Sequence, residues 1–180
     1  MFRRRNTNGF EPPGKTMHRN AETIEKFYRA FAALDAATMA SCYAPDVEFQ
    51  DPVFTLHGRQ QAAGMWAMLC QATRSRGADV WRLEYSGIQA DDRSGRAHWD
   101  AHYRFSATGR MVLNRIDAEF GFRDGLIAAH RDRFGFWAWS RQALGTPGLL
   151  LGWTPLLRKK VQATARANLD NFLKSGWKAL

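Results

Sequence analysis

The hydrophobic period of the sequence changes near Gly77, from about 3.6 residues to about two, and the shorter period persists to residue 136. Large apolar residues alternate with polar ones in four runs, at residues 79–89, 96–106, 111–123 and 126–136. Successive side chains of a strand point to opposite faces, so each run has one apolar face. The connections DDRSG, ATG and RDG are short enough for hairpins. The pattern therefore predicts four long strands in an antiparallel meander.

Helical spacing precedes these strands. Asn20 is expected to cap a first helix, Asp35 a second, and a third extends from about His57 to Gly77. Between the second and third helices lies VEFQDPVF, residues 47–54, a short strand that Asp51 and the following proline end. Helices followed by such strands predict an α+β fold, with the N-terminal helices packed on a strongly curved antiparallel sheet. This cone would enclose an apolar pocket.

A C-terminal extension follows the last strand. The apolar segment GTPGLLLGWTPLL leads to Thr154, which is expected to cap a helix reaching about Lys174. The extension is amphipathic and can pack on its own domain or on a second copy in a homodimer. It can also lie weakly on a membrane surface, because leucines and Trp153 precede its basic residues. The predicted domains are a disordered basic tail at 1–18, a cone domain at 19–139 and this extension at 140–180.

The net charge of +9 lies in the two ends of the chain. Residues 1–20 carry +4 and residues 140–180 carry +6, which leaves the body nearly neutral at −1. The body also has no nucleic-acid-binding motif, so we expect no nucleic acid as a partner. Cys42 and Cys70 lack metal-ligand spacing and indicate reduced thiols. With no secretory signal and no long apolar run, the expected location is the cytoplasm, and Met17 is a second candidate start.

At this point the sequence resembles a known superfamily. Residues 24–53, IEKFYRAFAALDAATMASCYAPDVEFQDPV, are similar to the first helices and strand of the ketosteroid isomerases, and FGFRDGLIAAHRD, residues 120–132, resembles the closing hairpin. The resemblance is to the SnoaL-like and ketosteroid-isomerase-like superfamily, which has the fold of nuclear transport factor 2, and it covers roughly residues 20–137. It implies that Asp51 is the general base. The fold hosts isomerases, cyclases, hydrolases, dehydratases and non-enzymatic binding modules.

The partners of the base in ketosteroid isomerases do not carry over. The tyrosine position of the first helix is Phe27 here, and Tyr28 is rotated by about 100° around the helix. The position of the protonated acid is Ala118, and its neighbour Asp117 should face outward. The resemblance therefore implies the fold and the base without implying 3-oxosteroid isomerase activity.

The last strand offers different polar groups. His130 and Asp132 are two residues apart and so share one strand face, while Asn114 should lie on the inward face of the neighbouring strand. Together with Asp51 they form a candidate site in an aromatic pocket. The candidate substrate-binding residues are Asn114, Phe27, Phe31, Trp66, Trp99, Tyr103 and Phe120.

Two interpretations of this site stay open. In one, Asp51, His130 and Asp132 catalyse cofactor-independent acid–base chemistry of an isomerase or cyclase on a small hydrophobic carbonyl compound. In the other, His130 and Asp132 brace the sheet, Asp51 caps a turn, and the fold is a non-catalytic module for binding an apolar ligand or for dimerisation. Neither interpretation requires a cofactor or a metal. His98 and His102 alternate on an outer strand face, but they should lie about 13 Å apart, which is too far for both to bind one metal ion.

Overall fold

The computed structural model describes residues 17–179. The predicted disordered tail at 1–18 falls mostly outside these residues. Six helices and six strands occur in the described part of the chain. In chain order they are α1 (Arg19–Ala32), α2 (Ala36–Ser41), β1 (Tyr43–Gln50), β2 (Thr55–His57), α3 (Arg59–Arg76), β3 (Arg82–Ala90), β4 (Ser94–Arg104), β5 (Met111–Arg123), β6 (Leu126–Arg133), α4 (Phe136–Ala143), α5 (Thr146–Leu151) and α6 (Pro155–Lys174).

The strands form one curved sheet in the order β2-β1-β6-β5-β4-β3. The predicted hairpins β3–β4, β4–β5 and β5–β6 are all present and antiparallel. The sheet as a whole is mixed, because β1 pairs parallel with β6. This pairing arises because β1 enters the sheet from α2 and lies beside the last strand of the meander, to which no hairpin connects it. The predicted α+β fold is confirmed, with one parallel pair added.

The helix signals are mostly confirmed. Asp35 caps α2 by accepting a hydrogen bond from the backbone N–H of Thr38 at 3.1 Å, and Gly77 ends α3. The first cap was predicted wrongly: His18 caps α1, since its Nδ1 accepts from the N–H of Asn20. The side chain of Asn20 instead donates to the carbonyl of Asp91 at 2.7 Å. That bond ties the start of α1 to the β3–β4 hairpin.

The predicted fourth run ends earlier than expected. β6 stops at Arg133, and Phe136, which was assigned to the strand, is the first residue of α4. Phe136, Trp139 and Ala143 are buried at helical spacing in a second, smaller apolar cluster. The alternation of Phe134 and Phe136 therefore continued the strand pattern only by coincidence, and Gly135 marks the change.

The C-terminal extension packs on its own domain. Leu169 of α6 is fully buried, and the side chain of Leu173 lies so close to Gly64 of α3 that a Cβ there would meet it at 2.5 Å. Gly148 of α5 approaches the carbonyl of Ser140 in α4 more closely still, and a Cβ would lie 1.9 Å from that oxygen. The prediction that Thr154 caps α6 and that the helix ends near Lys174 is confirmed. None of the helices within residues 17–179 combines the length and apolarity needed to cross a membrane.

Candidate active site

A cavity of about 770 Å³ lies between the inward face of the sheet, helix α3 and the C-terminal helices. Its wall is largely apolar and aromatic, which suits a small hydrophobic molecule. Of the residues predicted to form the site, seven line it. They are Asp51, Asp132, Asn114, Phe31, Trp66, Trp99 and Tyr103. Both carboxylates named from the sequence therefore reach the same cavity.

Asp51 sits in the turn that joins β1 to β2. Its Oδ1 accepts hydrogen bonds from the backbone N–H groups of Val53 at 2.7 Å and Phe54 at 2.5 Å. Its own N–H donates to the carbonyl of Phe54 at 2.9 Å. Oδ2 has no hydrogen-bond partner among residues 17–179, and Asp51 lines the cavity. The turn thus fixes one carboxylate oxygen and leaves the other available to a bound molecule.

The surroundings of Asp51 raise its pKa to about 7. Burial is the largest cause, because it disfavours the charged form. The N–H groups of Phe54 and Val53 act in the opposite direction, and the negative charge of Asp132 raises the pKa further. A carboxylate with such a pKa exchanges a proton readily near neutral pH, which is the property expected of a general base.

This shift predicts how stability depends on pH. Between pH 3.8, the ordinary value, and about 7, the folded protein retains a proton on Asp51 that the unfolded chain releases. The free energy of unfolding should therefore fall as the pH rises through this interval. The Asp51→Asn variant cannot titrate at this position and keeps an oxygen for the turn. Its free energy of unfolding should therefore increase relative to that of wild type across this pH interval, by roughly 2–4 kcal/mol.

Urea unfolding of both proteins from about pH 4 to about pH 8 measures this difference. The matched control is Asp124→Asn, which changes an exposed carboxylate in the β5–β6 turn, where φ of 55° suits asparagine equally well. A stability difference between wild type and Asp51→Asn that stays constant with pH would contradict the raised pKa.

A buried hydrogen-bond chain leads from α3 to Asp132. Trp66 Nε1 donates to Tyr43 Oη at 2.8 Å, and that hydroxyl lies 2.7 Å from His130 Nδ1. His130 Nε2 lies 3.0 Å from Asp132 Oδ1, which also accepts from Trp99 Nε1 at 3.4 Å. The parallel pairing of β1 with β6 brings the chain together, because it places Tyr43 beside Ile127 on the strand that carries both His130 and Asp132.

The chain of donors assigns the histidine tautomer. Tyr43 Oη already accepts from Trp66, and its own proton has His130 Nδ1 as its acceptor within the described residues. Nδ1 is then unprotonated and Nε2 carries the proton that it donates to Asp132. Burial raises the pKa of Tyr43 well above its usual range, so this hydroxyl keeps its proton. His130 therefore donates from Nε2 to Asp132 Oδ1 and holds that carboxyl group in a fixed orientation.

Three predicted residues lie one layer behind the cavity wall. Phe27, Phe120 and His130 are buried and are not part of the lining. The ring of His130 packs between others, with centroid distances of 4.5 Å to Phe120, 5.5 Å to Phe27 and 6.1 Å to Trp66. A direct proton transfer from His130 to a bound molecule does not fit this position. His130 can influence a bound molecule only indirectly, through its hydrogen bond to Asp132.

Tyr103, predicted to be a substrate-binding residue, makes a contact that the sequence did not indicate. Its Oη accepts a hydrogen bond from Trp139 Nε1 of α4 at 2.8 Å, and its own proton has no acceptor among residues 17–179. Burial raises its pKa to about 12, the Trp139 N–H lowers it in part, and the charge of Asp51 raises it again. Tyr103 is therefore a hydrogen-bond donor on the cavity wall, electrostatically coupled to Asp51. The sequence did not predict the contact between Trp139 and Tyr103, because Trp139 belongs to α4, a helix that the alternation did not indicate.

The outer face of the sheet holds the other polar cluster. His98 contacts Asp117 at 2.8 Å and Asp100 at 3.1 Å, and Asp117 faces outward as predicted. The carboxylates raise the pKa of His98 above its usual value, with the hydrogen bond to Asp117 the largest cause. Within residues 17–179, no cluster of three or more His, Cys, Asp or Glu side chains could hold a metal ion. This face is separate from the cavity.

Helices on a curved sheet around an acid-bearing apolar cavity define the ketosteroid-isomerase-like class of the nuclear transport factor 2 fold. Within that class the chain belongs to the SnoaL-like domain family, whose model matches residues 24–130, more than half of the chain. No curated protein matches the sequence. The superfamily inferred from the sequence is thus confirmed.

Solved structures share this fold. A proposed polyketide cyclase from Xanthomonas campestris pv. campestris is 23% identical, with a TM-score of 0.54 over 69% of this chain and 96% of its own. An LEH-like epoxide hydrolase from M. tuberculosis is 19% identical, with a TM-score of 0.56 over 73% and 92%. A hypothetical protein with a ketosteroid-isomerase-like fold from Catenulispora acidiphila DSM 44928 is 15% identical, with a TM-score of 0.57 over 74% and 98%. At these identities the similarity shows the fold alone.

Proposed function

We propose that the protein is a cofactor-independent acid–base catalyst of the isomerase or cyclase type, acting on a small hydrophobic carbonyl compound. One observation carries the proposal. Asp51 has one carboxylate oxygen fixed by two backbone N–H groups, the other open to an apolar cavity, and a pKa near 7. Burial of a carboxylate without a charged partner lowers stability, and a strongly raised pKa at a cavity is typical of a functional group.

The proposed reaction begins with a proton transfer. Asp51 Oδ2 takes a proton from the carbon next to the carbonyl group, the C–H electron pair moves into the enolate, and its oxygen gains negative charge. The Tyr103 hydroxyl is the donor best placed to stabilise that oxygen, because its proton has no acceptor among residues 17–179 and it lines the same cavity. The Asn114 side chain also lines the cavity and makes no hydrogen bond with the described residues, so it is a second donor.

Two outcomes follow from the enolate. Return of the proton from Asp51 to a different carbon gives an isomer, with no net gain or loss of atoms. Attack of the enolate carbon on a second carbonyl of the same molecule closes a ring, and the new alkoxide takes the proton. Asp132 supports either outcome, because its charge helps to keep the pKa of Asp51 high. His130 is a positioning residue that orients Asp132.

A second candidate function is binding of an apolar ligand without turnover. The observation that favours it is the aromatic character of the wall, where Phe31, Trp66, Trp81 and Trp99 adjoin one another. Such a wall binds a hydrophobic molecule by excluding water, whether or not a proton moves.

Deuterium exchange distinguishes the two functions whichever product the reaction forms. Wild-type protein is incubated in deuterated buffer with cyclic enones, aryl alkyl ketones and β-diketones, and mass spectrometry measures deuterium next to each carbonyl. We expect exchange of at least one compound above the buffer rate, increasing as the pH rises through about 7. Binding of a ketone, detected by native mass spectrometry, with exchange of every compound at the buffer rate would favour the binding module instead.

A further inference from the structure

The exposed large hydrophobic residues of the protein are concentrated in one short stretch. Six of the nine such residues in the described part of the chain lie between residues 137 and 156, and we call them the apolar patch. They are Trp137, Leu149, Leu150, Leu151, Trp153 and Leu156. Their exposed fractions range from 43% to 77%, with Trp153 and Leu156 the highest. An exposed group of this kind is unusual on a monomeric protein unless it serves as an interaction site.

Hydrogen bonds link four members of the patch in two pairs. Trp137 Nε1 of α4 donates to the carbonyl of Leu149 in α5 at 3.2 Å. Trp153 Nε1 donates to the carbonyl of Leu150 at 3.0 Å. The close approach of Gly148 to Ser140 holds α5 against α4. The indole N–H groups are thus satisfied within the protein, and the patch presents hydrocarbon to its surroundings.

Basic residues adjoin the patch, and acidic residues are absent from this part of the sequence. The Arg141 guanidinium carbon lies 5.0 Å from the centre of the Trp137 ring, and Arg158, Lys159 and Lys160 follow Leu156 on α6. No Asp or Glu occurs between Asp132 and Asp170. Aromatic and leucine side chains beside lysines and arginines are the composition of a surface that inserts shallowly among lipid headgroups.

We propose that the apolar patch and its basic neighbours bind the surface of a bilayer containing anionic phospholipids. Trp153, Leu150 and Leu156 enter the headgroup region while Arg141, Arg158 and Lys159 contact lipid phosphates. A second copy of this chain is a poorer occupant, because a twofold contact brings the same patch of each copy together. That contact would place two sets of basic residues side by side without acidic partners. The proposal is independent of the reaction in the cavity.

Vesicle flotation of the full chain tests whether the hydrophobic residues of the patch contribute to membrane binding. The vesicles are phosphatidylcholine alone or an equimolar mixture of phosphatidylcholine and phosphatidylglycerol. Wild type should float with the mixed vesicles and much less with phosphatidylcholine alone. The Leu150→Gln/Trp153→Gln variant should lose most of the floating fraction. The matched control Met17→Gln/Met111→Gln changes two exposed hydrophobic residues outside the patch and should float as wild type does.

A second pair of variants tests the charges. Arg141→Gln/Lys159→Gln removes two basic residues beside the patch. Lys174→Gln/Lys178→Gln removes two at and beyond the far end of α6, which is about 30 Å long. The net charge changes equally in both. Each basic residue near an anionic surface adds roughly fivefold to partitioning, so the first variant should bind roughly 30-fold more weakly and the second close to wild type.

The outcomes are separable. Failure of wild type to float with mixed vesicles overturns the proposal, and so does equal flotation of the patch variant and its control. A wild type that elutes as a dimer, becomes a monomer in the patch variant and floats with neither vesicle would assign the patch to a second copy instead. Far-UV circular dichroism and melting temperatures confirm that each variant is folded; every changed residue is exposed, so all should be.

Discussion

The Asp51→Asn variant should exchange the α-proton of an accepted ketone about 10²–10⁴-fold more slowly than wild type. Asparagine keeps an oxygen for the N–H groups of Val53 and Phe54, so the β1–β2 turn and the cavity wall should survive. It has no basic oxygen to take the proton. The change therefore removes the proposed chemistry while preserving the geometry, which Asp51→Ala would not do.

Mass spectrometry of deuterium incorporation measures this effect, with Asp124→Asn as the surface control. The loss should appear in the rate at saturating ketone, while ketone affinity changes little, because the aromatic wall is intact. Exchange by Asp51→Asn at the wild-type rate would refute the assignment of Asp51 as the base. The same variant is expected to be more stable than wild type at neutral pH, so inactivity through unfolding would be recognisable.

Replacing Tyr43 with phenylalanine should lower the free energy of unfolding by roughly 2–5 kcal/mol. Tyr43 is fully buried, and its hydroxyl is the partner of both Trp66 Nε1 and His130 Nδ1. Without that oxygen, a donor on Trp66 and an acceptor on His130 remain buried without a partner. Both polar groups would then be buried away from water without a hydrogen bond, which lowers stability.

Urea unfolding of Tyr43→Phe and Tyr28→Phe provides a matched comparison. Tyr28 is also fully buried, but its hydroxyl has no hydrogen-bond partner within residues 17–179. Removing that hydroxyl should be close to neutral or slightly stabilising. An equal loss of stability in the two variants would show that the Tyr43–His130 bond has no special importance.

Much of this site follows from local pattern. Alternation along β5 and β6 was enough to place Asn114, His130 and Asp132 on the inward face, and the Asp-Pro sequence located Asp51 at a strand end. Alternation specifies a face of the sheet, however, and not the distance from the cavity. His130 shares its face with Asp132 yet lies behind Trp66, because Tyr43 and Phe49 of β1 pack against it.

The remaining features depend on contacts between distant parts of the sequence. Tyr43 meets His130 because β1 pairs with β6, and Trp139 meets Tyr103 because α4 folds back over the sheet. Neither pair has a local signature, since the partners are 87 and 36 residues apart. The α4 helix was missed for a different reason: two aromatic residues at strand spacing, Phe134 and Phe136, straddle the point where the strand ends.

The C-terminal helices contribute a wall to the cavity as well as a surface to the solvent. Leu144, Pro147, Leu157 and Val161 line it, and all four lie beyond residue 130, where the match to the SnoaL-like family ends. The catalytic candidate Asp51 lies within the matched residues, and Asp132 lies just beyond them, near the end of β6. Part of the cavity wall is therefore encoded outside the cone that carries Asp51 and Asp132, so changes in the extension can alter which molecules fit without changing either carboxylate.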